Sequence, residues 1–233
     1  MGIKFNFLSV EVTRKCNLKC AHCLRGKAES GEIKFENIDS LLSQTSYIYH
    51  LTFTGGEPSL NVPAIEYFYY KARINGVKIN HFAIPTNGIK ITPEFVDVCD
   101  KLNSIVENKS YKGVVISNDK YHMSQRKYDD TLFQGKPYFR LWFDDWYDWD
   151  NGKRVQREGY GVTIKEARNT SMAKRIWNSD DFSNNAHIYL NVKGEIINGL
   201  DWSYANQPKH FLCNVKNLTE YYESISRNKI KVI

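Results

Sequence analysis

The sequence predicts an α/β fold: a partial, open parallel β/α barrel of about six strands, followed by a C-terminal elaboration. Strand-like and helix-like segments alternate through roughly the first 145 residues, which implies right-handed crossovers and a parallel sheet. The residues able to carry chemistry cluster where predicted strands end, the side on which parallel α/β folds bind ligands. Beyond residue 143 the rhythm fades.

Residues 1–13 alternate apolar and polar, with Ile3, Phe5, Phe7, Val10 and Val12 apolar, and predict a first strand that runs into a cysteine-rich loop. Ile38, Leu41, Leu42 and Thr45 follow helical spacing. Residues 49–54 read as a second strand ending at Gly55-Gly56, and Asn61 and Pro63 supply the cap and first-turn proline of a helix that stops at Gly76. A third strand spans 77–85. Thr92-Pro93-Glu94 opens a helix with Phe95, Cys99, Leu102 and Val106 on one face, and 113–117 form a short buried fourth strand. Ser124 is expected to cap a further helix through Leu132, and 137–143 to form a fifth strand. A hairpin about Lys193-Gly194 and a helix over 217–227 complete the reading.

With 233 residues, one domain over 1–233 is the simplest organisation, its core in about 1–145 and a substrate-side elaboration in about 146–233. Hydrophobic residues at 42% and charged residues at 25% exclude a disordered chain. Residues 1–12 lack the pattern of a signal peptide and no stretch is long enough for a membrane span, so the expected location is cytoplasmic with no membrane partner. Three of five cysteines fall within residues 16–23, which suits metal ligation in a reducing compartment rather than a disulfide framework. The net charge of +6 is scattered over the chain, which argues for a solvated basic surface rather than a nucleic-acid stripe.

Four motifs sit at strand ends. Cys16, Cys20 and Cys23 form C-x3-C-x2-C directly after the first strand; three thiolates hold three irons of a 4Fe-4S cluster and leave one coordination position open. Structural zinc is the alternative, with His22, His50, His81 or His122 as fourth ligand. Gly55-Gly56-Glu57-Pro58 follows the second strand; its glycines permit close backbone approach by a ligand and Glu57 offers an acceptor for an ammonium group. A C-x3-C-x2-C loop followed about thirty residues later by Gly-Gly-Glu-Pro at a strand end resembles the radical S-adenosylmethionine (SAM) superfamily.

That resemblance implies one 4Fe-4S cluster on Cys16, Cys20 and Cys23, with SAM chelating the open iron through its amino and carboxylate groups. It assigns Gly55, Gly56, Glu57 and Pro58 to the methionine amino group and places His22, before the third cysteine, near the adenine. Thr86 and Asn87 match the family's Thr-Asn-Gly after the third strand, and Ser117 and Asp119 its Ser-x-Asp beside ribose and carboxylate, with His122 and Arg126 close enough to reach the same cleft. It further implies an external electron donor such as flavodoxin or ferredoxin, and reductive cleavage of SAM to a 5′-deoxyadenosyl radical that abstracts hydrogen from a substrate. The segment Tyr189 to Ile197 resembles the strand-turn-strand that opens the cluster extension of peptide-maturing relatives, which favours a peptide or protein side chain as substrate; 198–201 supplies no cysteine, so one cluster is expected. The compact purine-forming members make a nucleoside the alternative, although they often have a longer gap between the first two cysteines. A non-catalytic cluster or zinc protein binding nucleic acid is the rival from another class. Cys99 reads as core, Cys213 is solitary, and the acidic-aromatic segment 142–150 lines a pocket or packs its rings on the barrel. No catalytic residue is assigned.

Overall fold

The computed structural model describes residues 2–109, 113–125, 127–142, 159–163 and 187–230. Arg126 and the acidic-aromatic stretch 143–150 lie outside the described residues.

One sheet organises the chain. Strands β1 (Ile3–Thr13), β2 (Thr45–Gly55), β3 (Lys78–Thr86), β4 (Val114–Ser117) and β5 (Phe139–Trp142) step outwards in order, all parallel. On the other side of β1 lies β6 (His187–Leu190), also parallel, followed by antiparallel β7 (Glu195–Asn198) and β8 (Phe211–Asn214). The order β5-β4-β3-β2-β1-β6-β7-β8 leaves β5 and β8 as edges, so the barrel is open, with six parallel strands as the alternation implies. Helices α1 (Phe35–Leu42), α2 (Val62–Ile74) and α3 (Pro93–Ile105) form the crossovers, α4 (Lys120–Met123) is one turn, and α5 (Leu218–Ile230) ends the described chain.

Alternation along β1 explains its place at the centre. Leu8, Val10 and Val12 are fully buried and share a core with Leu51 and Phe53 of β2 and the helical residues Leu41, Phe68, Phe95 and Leu102. The other face carries Phe7, Ser9, Glu11 and Thr13 into the barrel interior. Four adjacent strands present one row there, since Phe7 is in register with His187 and His50, and His50 with His81. His187 stacks on Phe7 with ring centres 4.3 Å apart, and His50 Nδ1 meets His81 Nε2 at 2.6 Å.

This row makes stability depend on pH. Burial, with His81 and His187 beside it, holds His50 down at about 4, and burial lowers His81 and His187 too. An unfolded histidine titrates near about 6.5, so the unfolded chain takes up protons first as the solution is acidified. The contribution is complete above about pH 6.5 and lost as pH falls towards 4, at up to about 1.4 kcal/mol per pH unit for His50. Urea midpoints between pH 7.5 and 5 should therefore decline; a flat profile contradicts the assignment.

Two local expectations are corrected. Thr45 does not extend α1 but begins β2, and its hydroxyl donates to the Leu41 carbonyl at 2.7 Å, closing the helix end. Ser124 does not cap a helix through Leu132: Asp119 caps α4 by accepting from the amides of Tyr121 and His122, and Ser124 ends it. Thr131–Phe133 form only a 3-10 turn, which buries Phe133. The hairpin about Gly194 (φ +79°) is present as β6 and β7, while β8 is an addition. Among the described residues no helix is long and apolar enough to cross a membrane.

Candidate functional site

The loop after β1 is pinned before any ligand enters. Arg14 exchanges backbone hydrogen bonds with Gly31 (2.7 Å) and Glu29 (3.0 Å), and the Cys23 amide closes a turn on the Cys20 carbonyl at 3.0 Å. All three loop cysteines are free thiols. Burial raises Cys16, and burial followed by the neighbouring Cys23 and Cys16 pushes Cys20 up to about 12. Such thiols stay protonated alone and need a metal cation to become thiolates.

The double glycine follows from how closely β2 approaches that loop. Gly55 has φ +137°, and a Cβ there would overlap the Thr13 carbonyl; one on Gly56 would overlap that of Lys15. The amides of Gly56 and Glu57 donate to those same carbonyls, each at 2.8 Å. The crowding partner is thus the chain's own cysteine loop. Gly56→Ala is expected to cost more than about 1 kcal/mol and to lower iron loading, checked by urea denaturation and iron content.

Glu57 is held in place by its neighbours. Its buried carboxylate accepts from the Ser59 amide (3.0 Å), the Thr86 hydroxyl (2.6 Å) and the Asn87 amide (2.8 Å). Asn87 in turn donates its side-chain amide to Asn17 of the cysteine loop at 2.7 Å. The carboxylate therefore ties the ends of β2 and β3 together and, through Asn87, reaches the cysteine loop.

A cavity of about 370 Å³ opens among these segments. Cys16, Cys20, His22, Cys23, Gly55, Gly56, Glu57, Pro58, Thr86, Asn87 and Ser117 line it. Asp119 is not in the lining; its carboxylate lies behind, 2.5 Å from His122 Nδ1 and 3.9 Å from His22 Nε2. Burial would raise Asp119, but the hydrogen bond and charge of His122 and the nearby His22 hold it at about 2. His22 stacks on Tyr121 (4.5 Å) and is lowered to about 4 by burial, against the pull of Asp119.

Sequence reading missed Arg25, which lines the cavity. It also missed the fully buried Glu11, whose carboxylate takes Arg14 Nε (2.6 Å), Tyr189 Oη (2.5 Å) and Gln207 Nε2 (3.1 Å). Polar residues 9, 11 and 13 between apolar 8, 10 and 12 were the signal.

Three thiols on one cavity wall, with Cys99 and Cys213 packed in the core, suit a cluster that keeps one metal position open. The family model described as the radical SAM superfamily matches residues 10–113, which hold the cysteine loop, Gly-Gly-Glu-Pro and Thr-Asn-Gly. This stretch of the chain is a radical SAM superfamily domain. Radical SAM proteins use a 4Fe-4S cluster and SAM. Sequence relatives include Fe-coproporphyrin III synthase of Methanosarcina barkeri, 32% identical over 52% of this chain and 31% of that protein. Others are GTP 3′,8-cyclase of Clostridium botulinum (32%; 38% and 29%) and mycofactocin maturase MftC of Mycobacterium tuberculosis (34%; 37% and 22%). The chain thus matches less than a third of the length of each of these relatives. Among solved folds, BtrN in complex with AdoMet and 2-DOIA superposes with TM-score 0.58 at 16% identity, covering 95% of this chain and 83% of that one. The enzyme anSMEcpe with bound AdoMet and Cp18Cys peptide gives 0.57 at 16%, covering 93% and 79%. These two likenesses concern the radical SAM fold.

Proposed function

We propose that this chain is an enzyme that cleaves SAM reductively at a 4Fe-4S cluster held by Cys16, Cys20 and Cys23, and removes a hydrogen atom from a peptide or protein side chain. The observation that carries this reading is the convergence of the cysteine loop, Gly55-Gly56-Glu57 and Thr86-Asn87 on one cavity. Bound cluster and SAM supply the electron transfer into the sulfonium that yields a 5′-deoxyadenosyl radical.

The chain's own residues do the positioning. Three donors leave the Glu57 carboxylate part of its acceptor capacity, and together with the carbonyls of Gly55 and Gly56 it serves the methionine ammonium. His22, backed by the stacked ring of Tyr121, offers a face for the adenine, and Ser117 adds a hydroxyl to the lining. Asp119 acts through the imidazole of His122, and Arg126 completes the carried-over set. The electron arrives from an external flavodoxin or ferredoxin.

Two observations support a peptide substrate: the β6–β7 hairpin lies beside β1 where the sequence resembles peptide-maturing relatives, and one relative is a maturase. Likeness to a GTP cyclase keeps a nucleoside as the second reading. Chelator-stripped protein, reconstituted anaerobically with iron and sulfide, should convert SAM to 5′-deoxyadenosine and methionine on adding dithionite. Deuterated peptide extract should then pass label into 5′-deoxyadenosine, whereas label arriving only from nucleosides selects the second reading. Iron and sulfide without SAM binding overturns the proposal.

A further inference from the structure

We propose that, when it carries no cluster, the protein binds a single zinc-class divalent ion through Cys20, His22 and His122, and that this ion and the cluster exclude one another. One ligand atom from each of these three residues lies within 4.8 Å of the others. Donors around a tetrahedral zinc stand about 3.4 to 3.6 Å apart, given bonds of about 2.0 to 2.3 Å, so side-chain rotations of roughly 1 Å close the set. A thiolate and two imidazoles with a fourth position for water match a borderline-soft ion.

The surroundings are those of a metal site. His122 Nδ1 lies 2.5 Å from the Asp119 carboxylate, which itself is held by the amides of Tyr121 and His122. A carboxylate behind an imidazole fixes the tautomer and leaves Nε2 for an ion. His22 meets His122 edge-on, ring centres 5.0 Å apart, and is braced against Tyr121. Cys20 is buried. The ligands come from two distant stretches, the loop after β1 and the α4 turn after β4, so a bound ion would clamp one to the other.

Exclusion follows from Cys20 alone. It cannot ligate both a mononuclear ion and a cluster iron, so zinc would withhold one of three cluster thiolates. That half of the inference rests on the proposed cluster; the ion site does not.

The test is a titration of chelator-stripped, reduced full-length protein with Co2+, whose visible bands report coordination. Expected are a single equivalent, tetrahedral d–d bands and one thiolate charge-transfer band, displaced by Zn2+. Cys20→Ala and His122→Ala should abolish tight binding, Asp119→Asn should weaken it about 10- to 100-fold, and Cys23→Ala should retain it. His122→Ala should still take up iron and sulfide at the wild-type level, showing that it folds, and zinc should no longer block that uptake. Unchanged Co2+ binding in His122→Ala, or a full cluster formed while zinc is retained, overturns the inference. Failure of wild-type protein to build any cluster would sink the proposed function instead, and the Co2+ titration would still decide the ion site.

Discussion

Cys20→Ala is expected to abolish cluster loading and with it all formation of 5′-deoxyadenosine. Three thiolates for three irons leave no spare thiol in the cavity, because the other two cysteines sit in the apolar core. Cys20 is also the most buried of the three, and metal binding must drive off a proton held up to about 12, so its thiolate forms only in exchange for a metal bond. The contrast is Cys99→Ala: that thiol is fully buried in α3 and raised by burial, so its loss should cost core packing but leave iron and sulfide content unchanged. Iron, labile sulfide and 5′-deoxyadenosine measured on both variants check the pair. Wild-type cluster content in Cys20→Ala would mean that another residue supplies the ligand.

Much of this site was legible because its parts are local. Three cysteines in eight residues, two glycines at a strand end and the Thr-Asn-Gly turn each carry their constraint in adjacent positions. The sheet followed from alternation, since apolar residues 8, 10 and 12 of β1 and 51 and 53 of β2 must face a common core. What the glycines accommodate was not legible: it depends on β1 and β2 leaving the sheet side by side, so that the carbonyls of Thr13 and Lys15 fall where Cβ atoms would stand. The role of Glu57 was hidden for the same reason, as two of its three donors belong to residues 86 and 87 at the end of another strand. Asp119 is the cap because its carboxylate accepts the amides of Tyr121 and His122, whereas Ser124 closes that turn and donates its hydroxyl back to the Tyr121 carbonyl.

The partners of Glu11 come from farther away still, and removing them is expected to give the largest loss of stability in the chain. Glu11 is fully buried, and Arg14, at 3% exposure, lies 2.6 Å from it. The same carboxylate takes the hydroxyl of Tyr189 in β6, the Val192 amide (3.3 Å) and the side chain of Gln207, whose own carbonyl accepts from Arg14 at 2.6 Å. One acid therefore fastens the start of the cysteine loop and the C-terminal hairpin to the central strand. Glu11→Ala leaves the buried guanidinium of Arg14 with only the half-exposed Glu29, 2.7 Å away, as counter-charge, and removing one member of a buried pair costs up to about 3 to 5 kcal/mol. For a domain of this size that is a fall in Tm of about 6 to 20 °C. Replacing both charges, Glu11→Leu with Arg14→Met, should destabilise less than Glu11→Ala alone, since no orphaned charge remains. Urea denaturation of the two variants measures the difference. A Glu11→Ala protein within about 1 kcal/mol of wild type would show that the hairpin is held by its apolar contacts, Ile188, Leu190 and Ile196, and not by this acid.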